Sequence, residues 1–150
     1  MMTTSAAGHA LIEKYEGKRN RAYQDIVGKW TVGYGETGPD IGPDTYWTDD
    51  EVESHFIARL ASEFEPGVNA AIGDAPTTQG QFDAMVSLAW NIGVGAFAGS
   101  TVCKRHVERN YESAADAFIM WTKAGGRVIP ALVHRRMDEA NMYYDASPDA

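Results

Sequence analysis

The sequence predicts an α+β fold, a small β-hairpin set against a larger, mainly helical body, and three observations carry that prediction. Apolar residues recur at helical spacing through most of the chain, bounded by Ser or Thr caps and by glycines. A single stretch, residues 21–34, reads as two short extended runs around a turn containing Gly28. At 150 residues the chain has the length of one domain that buries about 68–70% of its unfolded surface, enough for a sizeable core. Cys103 is the lone cysteine, so the fold stands on packing rather than on an internal disulfide, which suits a reducing cytoplasm.

The first helix is expected over about 5–16, with Thr4 or Ser5 as its cap and Leu11, Ile12 and Tyr15 facing inward. Gly17 follows, the residue best suited to the left-handed turn that stops a helix. Runs at 21–25 and 30–34 then form the hairpin. In the second run Trp30, Val32 and Tyr34 share one face. Thr31, Gly33 and Gly35 share the other, stripped of bulk so that a ligand or another backbone can approach. Residues 38–46, rich in Gly, Pro and Asp, make a loop. Thr48 and Glu51 form a capping box, and Val52, Phe56 and Leu60, with Ile57 beside them, predict a helix linking the hairpin to the rest.

Pro66 opens a short helix that ends near Gly73. Thr78 with Gln81 repeats the capping box ahead of Phe82, Met85, Val86, Ala89 and Trp90, the most apolar helix and the expected centre of the larger body. Gly93 and Gly95 break it. Ser100 caps a helix to about 109, and another covers 112–121 with Ala115, Phe118 and Ile119 inward. Gly125 and Gly126 make a loop, Pro130 opens a last helix to about 144, and the tail from 146 is expected to fray.

The chemistry concentrates between positions 16 and 37. Hydrolysis of a glycosidic bond uses two carboxyl groups in different states, one protonated to serve the leaving oxygen and one ionised. Glu16, in the last turn of its helix, faces the negative end of the helix dipole, an effect of about 0.3–1 kcal/mol that favours the protonated form. Asp25 sits in a polar hairpin with backbone N–H groups nearby. The residues therefore read as Glu16 the general acid, Asp25 the carboxylate that orients or deprotonates a water, and the Thr31 hydroxyl a second partner of that water. Taken singly, each has an ordinary explanation as a solvated helix end, a turn-former and a β-branched strand residue.

The pattern E-G-x-R-x-x-A-Y-x-D-x-x-G-x-W-T-x-G-Y-G-x-T over 16–37 is followed by Q-F-D-A-M-V-S-L-A-W-N-I-G-V-G-A-F over 81–97 and W-T-K-A-G-G-R-V-I-P-A-L-V-H-R-R over 121–136. Together these resemble the phage-type lysozymes, the muramidase endolysins of glycoside hydrolase family 24, across nearly the whole chain. The resemblance implies a single lysozyme-like domain with a cleft between a small lobe, about 17–60, and a helical lobe of about 61–150 plus the N-terminal helix. It implies that Glu16, Asp25 and Thr31 are catalytic and that the bond cut is the β-1,4 link between N-acetylmuramic acid and N-acetylglucosamine in peptidoglycan. Inversion at the anomeric carbon, a monomer that needs no metal or cofactor, and release by a phage holin follow from the same likeness. A lytic transglycosylase and a non-catalytic wall-binding module remain as alternatives.

Further positions follow from the resemblance. Asn91 stands on the cleft wall, where its amide binds a saccharide N-acetyl group or steadies the lobe junction; its other reading is a helix cap. Arg127 matches a basic position that faces the catalytic Glu, while Arg135 and Arg136, the alternates, are expected on the surface of the last helix. From the residue types alone, Trp30, Tyr34 and Trp90 are all core candidates, and Tyr34 is also a candidate sugar contact. Many relatives read G-Y-G-H-T where this chain has Glu36, so any ion pair made there must differ, and a third carboxylate near the site would raise the catalytic pair by like-charge repulsion.

The net charge of −8 is unevenly placed: residues 36–65 hold nine acids against Arg59 alone, and residues 101–136 hold seven bases against three acids. Either the basic stretch holds the anionic wall while the acidic one faces away, or both are solvated faces. Nucleic acid is not an expected partner. His9, His55, His106 and His134 lack metal-ligand spacing, and Gly33, Gly35 and Gly38 precede no helix start of phosphate-loop type. The chain opens without a basic segment or an unbroken apolar run, so no signal peptide is expected, and no window is long enough to span a bilayer. Synthesis in the host cytoplasm and action on the wall from the periplasm follow as expectations.

Overall fold

The computed structural model describes residues 1–145. Ser5 caps α1 (Ala6–Glu16) through its hydroxyl, which accepts from the Gly8 N–H, and Gly17 ends the helix at φ +71°. Next come two antiparallel strands, β1 (Arg19–Gln24) and β2 (Trp30–Gly33), with Tyr23 opposite Thr31 and Gln24 opposite Trp30. The loop returning from β2 runs beside β1: Ala22 N–H donates to Thr45 O at 3.0 Å and Trp47 N–H to Asn20 O at 2.8 Å. No regular third strand forms there.

The expected alternation along β2 stops at Gly33, where φ is +68° and the chain turns, Val32 and Glu36 exchanging N–H···O bonds of 2.9 and 2.8 Å. Tyr34 and Gly35 therefore lie in a turn rather than on strand faces. What approaches Gly33 is a side chain of the protein itself: a Cβ there would sit 3.2 Å from the Trp47 ring.

Thr48 and Glu51 close the capping box of α2 (Asp49–Arg59), which passes through a π-helical turn, Leu60–Phe64, into α3 (Glu65–Ile72). The two helices expected separately are thus joined. α4 (Gln79–Ile92), capped by Thr78, is buried at every position from Gln81 to Trp90. Elements pack against it from several sides, chiefly α1 and the last helix, α8 (Pro130–Asp145). Trp90, near the end of this helix, meets Phe56 edge to face with centroids 5.1 Å apart and Phe64 at a tilt with centroids 4.7 Å apart.

Gly93 ends α4 as expected, but Gly95 lies inside a further short helix, α5 (Val94–Ala98). α6 (Thr101–Val107) and α7 (Tyr111–Ala117) follow, and α7 tightens into a 3₁₀ turn, Phe118–Met120. That change of pitch turns Ile119 outward, where it is exposed against expectation; Ile57 is exposed on α2 as well. The double-glycine loop proves to be the turn of a second hairpin, β3 (Lys123–Ala124) with β4 (Arg127–Val128). The tail expected to fray, 146–150, lies outside the described residues.

Candidate active site

Glu16 closes α1 and is partly exposed, while the guanidinium it meets is not. Arg135 Nη1 lies 2.6 Å from Glu16 Oε2, and Arg135 is 3% exposed. This corrects the sequence reading twice. Arg127 stands on the exposed β4, and the cation that faces Glu16 is Arg135. Arg135 and Arg136 are core residues, because residues 135 and 136 fall on the side of α8 that packs against α4. The half-charge of a helix end is also weak beside a full guanidinium at this distance, so the dipole does not dominate at Glu16.

Arg135 is held on each of its donor atoms. Nε donates to Glu139 Oε2 at 3.2 Å, Nη2 to the Ser87 carbonyl at 3.2 Å, and the guanidinium lies over the Tyr15 ring at 5.6 Å. Ser87 in turn donates to Glu139 Oε2 at 2.5 Å. Sequence reasoning missed Ser87 and Glu139. Their signals were a hydroxyl in the middle of the most apolar helix and a Glu three and four residues after paired arginines, the spacing of one helix face.

Asp25 follows β1 and is fixed by its own turn. Its Oδ1 accepts from Val27 N–H at 2.9 Å and Lys29 N–H at 2.8 Å. Among the described residues no hydrogen bond goes to its Oδ2. Thr31, on β2 and 4% exposed, donates its hydroxyl proton to Lys29 O at 3.0 Å, so the lone pairs of Oγ1 remain for a donor. Backbone of the same turn thus anchors Asp25 through Lys29 N–H and Thr31 through Lys29 O.

The remaining candidates fall elsewhere. Tyr34 is buried with its ring centroid 5.0 Å from that of Phe56, which commits it to the core rather than to a sugar. Asn91 is exposed within α4, not at its cap, and its Oδ1 accepts from Arg136 Nη2. Glu36 is paired with Arg59 at 3.4 Å, and Arg59 lies over Trp90 at 4.7 Å. Burial raises the Glu36 carboxyl, with Arg59 opposing, and the charges acting on it are those of Arg59, His55 and Glu63. It lines a cavity of about 270 Å³ with Trp47 and His55, to which none of Glu16, Asp25 and Thr31 contributes, so the expected repulsion with Glu16 and Asp25 finds no support. With Arg135 and Arg136 buried, the basic stretch keeps five outward bases against three acids, half the surplus counted from sequence.

Among known proteins, the family described as phage lysozyme matches residues 13–139. The chain is 36% identical to an endolysin of Bacillus phage B103 over 144 residues, 95% of this chain and 54% of that protein. It is 38% identical to the endolysin of Salmonella phage P22 over 143 residues, 93% of this chain and 97% of that one. The crystal structure of a P22 lysozyme mutant superposes with a TM-score of 0.86 at 36% identity, covering 96% of this chain and 99% of that chain. The chain spans little more than half the length of the two Bacillus phage endolysins it matches.

Proposed function

The chain belongs to the phage lysozyme family, and on that premise we propose that it is an endolysin that hydrolyses the β-1,4 bond between N-acetylmuramic acid and N-acetylglucosamine in peptidoglycan. Glu16 is the general acid that gives its proton to the leaving 4-oxygen as the glycosidic bond breaks. Asp25 and Thr31 together aim the attacking water. The observation that carries this division of labour is the hydrogen bonding of the hairpin turn. One oxygen of Asp25 is anchored by two backbone N–H groups, and the Thr31 hydroxyl has given its proton to Lys29 O. A water between them donates one hydrogen to Thr31 Oγ1 and the other to the free oxygen of Asp25, so its lone pair is left for the anomeric carbon. Attack forms the new C–O bond while Asp25 takes the proton, and water entering opposite the leaving group inverts the configuration.

The same reading makes the protein one lysozyme-like domain whose two lobes flank the cleft, a monomer made in the host cytoplasm and released to the wall through a holin. The endolysin relatives support it, and no helix among the described residues is long and apolar enough to cross a membrane. Loss of turbidity of a chloroform-treated Gram-negative cell suspension is the test. Glu16→Gln should slow it by about 10²- to 10⁴-fold, the usual worth of a general acid. Lysis untouched by that change overturns the mechanism. Mass analysis of the products should show reducing muramic ends; anhydromuramic ends would identify a transglycosylase instead.

A further inference from the structure

Behind Glu16 two cations and one anion are buried side by side. Arg136 and Glu139 are both 0% exposed, with Arg136 Nη1 3.2 Å from Glu139 Oε1, and Arg135 Nε lies 3.2 Å from the other oxygen. Arg136 makes little use of its donors: Nη2 reaches Asn91, while Nε and Nη1 have no hydrogen-bond partner among the described residues. Its charge is therefore poorly compensated except by Glu139.

We propose that Glu139 is a positioning residue whose charge offsets Arg136, so that Glu16 answers to Arg135 alone and stays free to carry its proton. The inference rests on the reading of Glu16 as the general acid. With Glu16 ionised, the charges of Glu16, Arg135, Arg136 and Glu139 cancel. With Glu16 protonated, as an acid must be at the moment of reaction, the cluster holds one surplus positive charge. Were Glu139 neutral there would be two, in an interior where charge is poorly screened, and the cluster would hold Glu16 as its carboxylate.

The other groups facing the cluster do not supply that balance. From α1, Lys14 pairs with Asp138 at 2.9 Å and the Tyr15 hydroxyl also binds Asp138, while from α4 come the neutral Ser87 and Asn91. Burial leaves the Glu139 carboxyl raised, with Arg136, Arg135 and the Ser87 hydroxyl opposing it only in part. The ionised form is the one that matches two guanidiniums.

The experiment is the pH profile of kcat/KM on purified peptidoglycan, read beside a ¹³C titration of the Glu16 carboxyl in the enzyme without substrate. Glu139→Gln should move both the alkaline limb and the Glu16 titration to lower pH by about one unit, a tenfold loss of rate above the limb. Arg136→Met should move them the other way, and the double variant E139Q/R136M should return both towards wild type. A limb and a titration that stay in place in Glu139→Gln overturn the proposal, as does a double variant that behaves like the single one. If Glu139→Gln does not fold, Arg136→Met alone decides it: an unmoved titration overturns it. Failure of the general-acid reading looks different, because the titration would then move with the charges while the limb of the rate profile ignores it.

Discussion

Asp25 and Glu16 are held by opposite means. Asp25 is fixed by N–H groups two and four residues ahead of it, in a turn whose tip, Ile26 and Val27, is 102% and 80% exposed. Glu16 is fixed by a guanidinium 119 residues away, itself buried and held by Glu139 and by Ser87 on the central helix. The hairpin supports its functional group locally and leaves it next to water. The helical body supports its own through ion pairs that form only once α1, α4 and α8 have packed. Damage to the two regions should therefore separate function from stability.

The largest stability effect is expected at Arg135. Arg135→Met removes the cation shared by Glu16 and Glu139 and leaves Glu139 under-compensated, which should cost about 3–5 kcal/mol by urea denaturation. A loss below about 1 kcal/mol would mean that the helical side is no more interdependent than the hairpin. Next is a pH dependence confined to the helical body. His106 is buried, with Nε2 2.8 Å from Thr77 Oγ1 and Nδ1 2.6 Å from the Tyr143 hydroxyl. Thr77 donates its proton to Ala75 O at 2.8 Å, so His106 is the donor to Thr77 and accepts from Tyr143, which assigns a neutral Nε2–H ring.

Burial lowers His106 from 6.5 to about 4. The unfolded chain takes up the proton first on acidification, so the stabilisation is complete above about pH 6.5 and declines as pH falls towards 4. The loss is about 1.4 kcal/mol per unit and about 3 kcal/mol in all. His106→Gln should flatten that part of the stability curve; an equal slope in both proteins would place the effect elsewhere.

The smallest stability effect should be Asp25→Asn. A carboxamide oxygen accepts the same two N–H groups, so stability should hold within about 0.5 kcal/mol. Activity should nevertheless fall by about 10²-fold or more, since an amide does not take a proton from water. A thermal shift as large as that of Arg135→Met would erase the contrast between the regions.

The same contrast explains what was legible before the structure. Caps at Ser5, Thr48, Thr78 and Ser100 and the stop at Gly17 all lie in short windows of sequence, where hydrogen bonds join near neighbours. Errors arose where the backbone left its regular period or a more distant side chain intervened. Tyr34 and Gly33 were read as a strand face because the bend to Glu36 and the approach of Trp47 leave no periodic trace. Ile119 was turned outward by a 3₁₀ turn that apolar spacing does not announce.

By itself, then, the sequence determined where the capped helices begin, where the first hairpin lies, and which family motif the chain carries, because each depends on backbone groups a few residues apart. Tertiary structure alone decided that Arg135 rather than Arg127 meets Glu16 and that Arg136 and Glu139 are interior charges. An arginine on a helix reads the same in sequence whether it faces solvent or core. Only the packing of α8 on α4 removes it from water, and once that has happened its charge has to be matched by whichever acids the fold brings within reach.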